Sequence, residues 1–331
     1  MKRIIQVGVG GMGAEWTERV AESKQWKAVA YVDINEETLH EAAKKYGVPK
    51  NKCFTNLDDA LKSVEADALL DVAPQQFRKD ICRKAMEHGL DVLAEKPMAD
   101  TLENAKALAA CAQKYGRILM IAQNYRYQPA AQTARQMVRT GALGNIGYVG
   151  LSFHKGPRFS GFRETMPYPL VLDMSIHHFD LMRAILDSDI HSIEAVSINT
   201  PWNWNKGDGT VMALIEMENG VAVDYFASWV STGIDTSWNG TWRIEGSHAS
   251  LIWDKDDLFL GSPPDKKEPV KLVAMPSVHQ ARLLELFREA LDTGIEPETS
   301  GARNLNSLAS TYAAVRSAEE RRRVTVRELL A

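Results

Sequence analysis

The stretch that decides the fold runs from Arg3 to Asp33. It reads Arg3-Ile4-Ile5-Gln6-Val7-Gly8-Val9-Gly10-Gly11-Met12-Gly13, then a helical run, then Ala28-Val29-Ala30-Tyr31-Val32-Asp33. A short apolar run that enters a glycine cluster is the pattern of a buried parallel strand turning into a helix. Gly8, Gly10 and Gly13 fall at G-x-G-x-x-G spacing. In a dinucleotide-binding unit the three glycines do separate jobs: a tight turn, close backbone approach to a pyrophosphate, and close packing of helix on strand. The helix N-terminus adds unpaired N–H groups and the positive end of a dipole. Asp33 closes the second apolar run, where a carboxylate accepts hydrogen bonds from the ribose hydroxyls. Neither Ile34 nor Asn35 offers a cation to a 2′-phosphate, which favours NAD over NADP.

A chain of 331 residues is too long for one ordinary core, so two domains are expected. The composition is that of a soluble globular protein, and a net charge of −4 gives no electrostatic case for nucleic acid or an anionic membrane. The basic run Arg321-Arg322-Arg323 follows Glu319-Glu320 near a helix end and reads as a solvated face. Cys53, Cys82 and Cys111 lack metal or redox spacing, which suits a reducing compartment. No signal-peptide pattern and no membrane-length apolar run stands out. A cytoplasmic protein without membrane or nucleic-acid partners is the expectation.

Apolar runs and helical patterns alternate up to about Asn124, which implies a parallel sheet with right-handed crossovers and helices on both faces. Asn35 and Thr101 read as helix caps, and Gly47 and Gly89 as helix ends. Beyond that point the pattern changes. A helix near Pro129–Thr140, a strand from Ile146 and a helical stretch near Val171–Leu186 precede several strand-like runs joined by turn signals such as Glu218-Asn219-Gly220. The expected fold class is therefore α/β. A dinucleotide-binding domain over residues 1–123 precedes a second domain over 124–331, whose consecutive strands imply an antiparallel sheet.

Three constellations can carry chemistry. Ala94-Glu95-Lys96-Pro97 lies past the carboxyl end of the fifth parallel strand, the edge where open α/β sheets bind ligands. A lysine there can donate to a substrate hydroxyl and stabilise alkoxide charge. Asp173-Met174-Ser175-Ile176-His177-His178-Phe179-Asp180 places residues 173, 177 and 180 on one face of an ideal helix. A carboxylate one turn before an imidazole can bind a neighbouring hydroxyl and bias the histidine, making His177 a candidate general base. Asp173 and Asp180 stand about 10.5 Å apart along such a helix, too far for one metal to take all three; no metal is expected. His178 projects away from His177, and Asp180 reads as structural. Gln123-Asn124-Tyr125-Arg126-Tyr127 marks the change of pattern. Tyr125 and Arg126, with His178, are candidate substrate contacts. Six tryptophans from Trp202 to Trp253 suit packing of sheet faces better than a site.

With these motifs the chain resembles the Gfo/Idh/MocA family, the glucose–fructose oxidoreductase and inositol dehydrogenase group. The resemblance rests on Gly8/Gly10/Gly13 with Asp33, on Glu95-Lys96-Pro97, and on Asp173-x-x-x-His177-x-x-Asp180. It implies an N-terminal Rossmann domain and a C-terminal α/β domain with an open, mostly antiparallel sheet. The outer face of that sheet would mediate self-association, and the tryptophan-rich strands would suit it. The last helices are expected to pack back on the first domain. The resemblance also implies Lys96, Asp173 and His177 as the catalytic set and a sugar, cyclitol or related polyol as substrate. Expected cofactor contacts are Gly8, Gly10, Gly11, Met12, Gly13, Asp33, Pro74, Glu95 and Lys96. Two departures touch the substrate pocket: Gln75-Gln76-Phe77 follows Pro74 where many members have a histidine, and Tyr168-Pro169 stands where many have a glycine pair. Proton transfer by Lys96 itself stays open. So do two other readings, an NAD-dependent glycosidase and a non-catalytic dinucleotide-binding regulator.

Overall fold

Apolar strand, polar helix and apolar strand repeat through the first third of the chain, and the sheet they build follows that rhythm. The computed structural model describes residues 1–262 and 265–331. The chain divides into two compact units, Met1–Asn124 with Ser277–Leu305 and Tyr125–Pro276 with Asn306–Ala331.

In the first unit β1 (Lys2–Val7), α1 (Met12–Glu22), β2 (Trp26–Val32), α2 (Glu36–Tyr46), β3 (Cys53–Phe54), α3 (Leu57–Ser63), β4 (Ala68–Asp71), α4 (Gln75–Glu87), β5 (Asp91–Ala94), α5 (Leu102–Tyr115) and β6 (Leu119–Ile121) follow in order. The sheet runs β3-β2-β1-β4-β5-β6 with every pair parallel. The strand order reverses between β1 and β4, the switch point at which such sheets bind ligands beyond their carboxyl ends. Asn35 and Thr101 cap α2 and α5 through their side chains, and Gly47 ends α2 in the left-handed conformation.

One buried ion pair organises that carboxyl edge. Asp71 ends β4, fully buried, and Arg78 on α4 donates from Nε to its Oδ2 at 2.9 Å. The same guanidinium bonds the carbonyls of Ala73, at 2.7 Å, and of Pro97, and Ala73 N–H closes back on Asp71 at 3.0 Å. Arg78 thereby ties the loop after β4 to the loop after β5.

The second unit contains α6 (Pro129–Arg139), β7 (Ile146–His154), α7 (Ile176–Leu186), β8 (Ile190–Ile198), β9 (Thr210–Met217), β10 (Ala222–Ser228), β11 (Thr241–Gly246), β12 (Ser250–Asp254), β13 (Asp257–Gly261) and β14 (Glu268–Pro269). Then α8 (His279–Thr293) returns to the first unit, where Phe287 stacks on Trp26 at 5.3 Å and Leu284 O accepts from its indole N–H. The chain ends with α9 (Gly301–Glu320), within which the division between units falls, β15 (Val324–Thr325) and α10 (Val326–Leu330).

The nine-stranded sheet of the second unit runs β14-β13-β12-β11-β7-β10-β9-β8-β15. Its neighbours are antiparallel except β7 and β10, which pair in parallel. Side chains alternate across it: Val149, Leu151, Phe153, Tyr225, Trp242 and Trp253 are buried, whereas Tyr148, Val196, Met212 and Leu214 face outward. This corrects the expectation for the tryptophans. Trp242 and Trp253 are cross-strand partners stacked 5.8 Å apart on the covered face, and Trp229 is buried too. The outward apolar patch is built from other residues.

Nearly every side chain of α7 is buried, including His178. The carbonyl of Trp238 lies 3.1 Å from His178 Nε2, and a carbonyl only accepts, so that nitrogen carries the proton. Nδ1 faces the Tyr225 hydroxyl at 2.9 Å. Burial lowers the imidazole from 6.5 to about 4. Both nitrogens are engaged, so the expectation that His178 contacts substrate gives way to a core role.

Two outcomes follow. Arg78→Ala leaves the Asp71 carboxylate buried without its cation and should cost about 3–5 kcal/mol in urea unfolding; a loss no larger than that of the exposed Arg19→Ala would refute the clamp. Between pH 6.5 and 4 the unfolded chain binds a proton at residue 178 that the folded chain refuses. The His178 contribution, about 3 kcal/mol, is therefore complete above pH 6.5 and is lost as pH falls toward 4. Wild type should lose stability over that range faster than His178→Gln, and parallel curves would contradict the assignment.

Candidate active site

The first unit carries a glycine turn and a lysine loop at its sheet's carboxyl edge. Gly8 has φ +84°, and a Cβ on it would lie 2.8 Å from the Val72 carbonyl carbon. A Cβ on Gly13 would lie 2.4 Å from Gly8 O, so α1 can sit this close to β1 only with glycine there. The buried Gln6 holds the turn shut: its Nε2 donates to Gly8 O, Gly13 O and Thr17 Oγ1 at 2.8–3.0 Å. Gly10, Gly11 and Met12 are exposed at the start of α1. Asp33 is oriented by two backbone N–H groups, Val9 at 3.0 Å and Asn35 at 2.9 Å. An exposed helix N-terminus, a backbone cradle without side chains and a fixed carboxylate beyond β2 fit a dinucleotide.

Beyond β5, Glu95 accepts from Trp16 Nε1 on α1 at 2.7 Å and from Lys96 N–H at 3.0 Å. Burial raises its carboxyl pKa, with the Trp16 hydrogen bond and the Lys96 charge opposing. Lys96-Pro97 is a cis peptide, and the Pro97 carbonyl is the one held by Arg78. Pro74 is exposed at the N-cap of α4.

The second unit carries the segment from Asp173 to Asp180. Leu170–Ser175 is a π-helical turn that passes into α7; such turns recur at functional sites. The three residues placed on one face by ideal spacing have different surroundings. Asp173 accepts from Arg163 Nε at 2.5 Å. His177 stacks on Tyr125, with ring centroids 4.1 Å apart and planes at 14°. Asp180 is 1% exposed and takes a forked pair of bonds from Arg126, at 2.7 and 2.5 Å, with Ser307 Oγ at 2.9 Å. Arg126 is itself buried in that pair, so it fixes the start of α6 against α7 and is not the ligand contact that the sequence suggested. Burial, and then the Asp173 and Asp256 charges, raise the Tyr125 phenol, which stays neutral at working pH.

Sequence reasoning missed Gln6, the Asp71–Arg78 pair and Arg163. For the first two a signal existed, since a polar residue interrupts or ends an otherwise apolar strand. Arg163 gives none, because its partner is ten residues on across an irregular segment. Among the described residues no group of three histidines, cysteines or carboxylates could hold a metal, and no helix is long and apolar enough to cross a membrane.

Comparison with known proteins agrees with this geometry. Residues 2–123 match the oxidoreductase family with an NAD-binding Rossmann fold, and residues 131–252 match the GFO/IDH/MocA C-terminal domain. The chain is 28% identical to an uncharacterized protein of Sinorhizobium fredii, over 99% of this chain and 96% of that one. It is 27% identical to D-apiose dehydrogenase of Paraburkholderia graminis, over 91% and 83%. An oxidoreductase from Agrobacterium radiobacter, solved in complex with NAD+, L-tartaric acid and magnesium, shares the fold with a TM-score of 0.91 at 19% identity, over 99% of both chains. A Rossmann sheet with its switch-point glycine turn, followed by the matching C-terminal domain, places this chain in the Gfo/Idh/MocA family of sugar and polyol oxidoreductases.

Proposed function

We propose that this protein is an NAD-dependent dehydrogenase that oxidises a secondary alcohol of a sugar, cyclitol or related polyol, or reduces the matching ketone. The observation that carries this reading is the Asp33 carboxylate, held beyond β2 by two backbone donors, with the exposed Ile34 and no cation at residues 34 and 35. That arrangement suits a ribose 2′-hydroxyl and repels a 2′-phosphate. Gly8 to Gly13 would take the pyrophosphate, and Pro74, Glu95 and Lys96 would line the nicotinamide end. The bound nicotinamide supplies the hydride acceptor.

His177 takes the hydroxyl proton as the carbinol carbon is oxidised. Its ring is held in a stack on Tyr125. Lys96, just past β5, is the group that would stabilise negative charge developing on a substrate oxygen. Asp173 binds a neighbouring hydroxyl and sets the substrate's orientation.

The second unit also suits self-association through its outward sheet face. Met212 lies between Phe226 and Val196 on neighbouring strands, with Leu214 two residues along. With Tyr148 on the same face, these side chains make an exposed apolar patch of the kind monomers avoid.

Reduced cofactor followed across a panel of polyols, aldoses and inositols tests the reaction. Turnover should appear with NAD and fall at least tenfold with NADP, and His177→Asn should lower kcat by about 10²–10⁴-fold with little change in cofactor affinity. Unchanged turnover in His177→Asn would sink the proton-transfer role. Sedimentation should give an even-numbered assembly that Met212→Lys with Leu214→Glu converts to monomer; a monomeric wild type would remove the sheet-face reading.

A further inference from the structure

The glycine turn and the lysine loop of the first unit are joined by a side-chain bond to which the dehydrogenase reading gives no task. α1 starts at Met12 in the glycine turn, and Trp16 stands four residues on, about 6 Å along the axis. Gly13, Trp16, Thr17 and Val20 form the buried face of this helix, and Trp16 is 0% exposed. The indole Nε1 crosses to the residue after β5 and donates to Glu95 Oε1 at 2.7 Å. Thr17, next in the chain, takes a bond from the Gln6 amide at 2.9 Å. The first turns of α1 are thus pinned to β1 and to the lysine loop at once.

Packing alone does not ask for this bond. An apolar ring would fill most of the same space, and a buried indole N–H needs only some acceptor. Trp26, Trp202 and Trp242 find backbone carbonyls, those of Leu284, Val230 and Asn239. Trp16 instead takes a carboxylate, an acceptor that makes a shorter and stronger bond. Glu95 is not closed off by it: the residue stays partly exposed, and its second oxygen, Oε2, accepts from Lys96 N–H at 3.0 Å. Burial raises the Glu95 carboxyl pKa and the Trp16 bond opposes that rise, so the indole favours the ionised group as well as placing it. Beyond Lys96, the Pro97 carbonyl is held by Arg78. The main chain at Lys96 is therefore held from α1 on one side and from α4 on the other.

We propose that Trp16 is a positioning residue for Lys96: its indole fixes Glu95, and Glu95 fixes the main chain from which the Lys96 side chain leaves. The part Lys96 plays in the reaction rests on the dehydrogenase reading; the strut from α1 to the lysine loop does not. The strut is short, one hydrogen bond to each oxygen of a single carboxylate. A carboxylate is planar and rigid, so a shift at one oxygen is passed to the other. The helix that would hold the pyrophosphate and the lysine that would meet the substrate oxygen then move together. Misplacing a reacting group by about 1 Å costs about 100-fold in rate. The glycine turn is tied separately by Gln6 and keeps its shape without the strut. Loss of the Trp16 bond therefore falls on turnover and spares cofactor binding.

The test uses the full chain and two variants. Trp16→Phe keeps a ring and removes the donor; Glu95→Gln leaves a single side-chain oxygen that cannot stand at both donors. Backbone hydrogen exchange reads the strut without substrate. Trp16→Phe should speed exchange of the Lys96 amide by about tenfold and leave Val92 and Leu93 in β5 unchanged. In NADH formation it should lower kcat by about 10- to 100-fold, while calorimetry keeps the NAD dissociation constant within about threefold. Both variants act through one carboxylate, so Trp16→Phe should cost much less in Glu95→Gln than in wild type. A kcat and NAD affinity that fall together, or losses that simply add to those of Glu95→Gln, would overturn the proposal. If Trp16→Phe fails to fold, Glu95→Gln decides alone: it leaves Trp16 in place, and an unchanged Lys96 amide refutes the strut. Turnover indifferent to Trp16→Phe removes the positioning role and keeps the dehydrogenase. Exchange that responds, in a chain that forms no NADH with any polyol, keeps the strut and removes the dehydrogenase.

Discussion

The carboxyl edge of the parallel sheet depends on one buried guanidinium. Taking Arg78 and Asp71 out of water is expensive, and such a pair earns its place only when every lone pair and proton is matched. Here the matching is done by two carbonyls from different loops, Ala73 after β4 and Pro97 after β5. The pair is weak as a source of stability and strong as a constraint. Any shift of the lysine loop relative to the end of β4 would strand a donor in a place water does not reach. Gln6 ties the glycine turn through its amide nitrogen, which serves Gly8, Gly13 and Thr17, while its Oε1 stays unmatched. The two clamps stand in neighbouring strands β1 and β4, at the switch point.

Local sequence carries this half of the molecule well because its logic is local. A parallel βαβ unit is written within some thirty residues, and its glycines are forced by contacts with chain close in sequence, as at Gly13 against Gly8. The second unit is less legible for the opposite reason. Alternation reveals that β7 and β10 are strands; nothing in either states that they pair with each other, and in parallel, across some seventy residues. The tryptophans misled in the same way. Their size announces a packed face, but which face depends on register, and Trp242 and Trp253 fall on the covered one.

The site residues divide along the same line. Asp173, His177 and Asp180 are visible as a spacing, and an ideal helix would make them one group. The π turn and the partners of each residue make them three. Helix geometry fixes where a side chain leaves the backbone; what it meets is set by chain far away in sequence, such as Ser307 for Asp180 and Tyr125 for His177. His177 and His178 differ for this reason although they are adjacent. His178 is held neutral and fully used in the core, whereas the His177 ring stacks on Tyr125.

Asp173 and Asp180 are both aspartates on one continuous helical stretch and have different surroundings. Asp180 is enclosed by a forked arginine and a serine, with Arg183 3.9 Å away. A ligand would have to displace a buried network to reach it, at a cost of several kcal/mol. Asp173 is bound by Arg163, which is 30% exposed and comes from a short irregular segment. Asp173 is 11% exposed in that pair, so its contact is more open than the one at Asp180 without being a surface salt bridge. The two acids of one helical stretch therefore differ in how tightly they are enclosed, and the fork from Arg126 with Ser307 makes Asp180 the structural one.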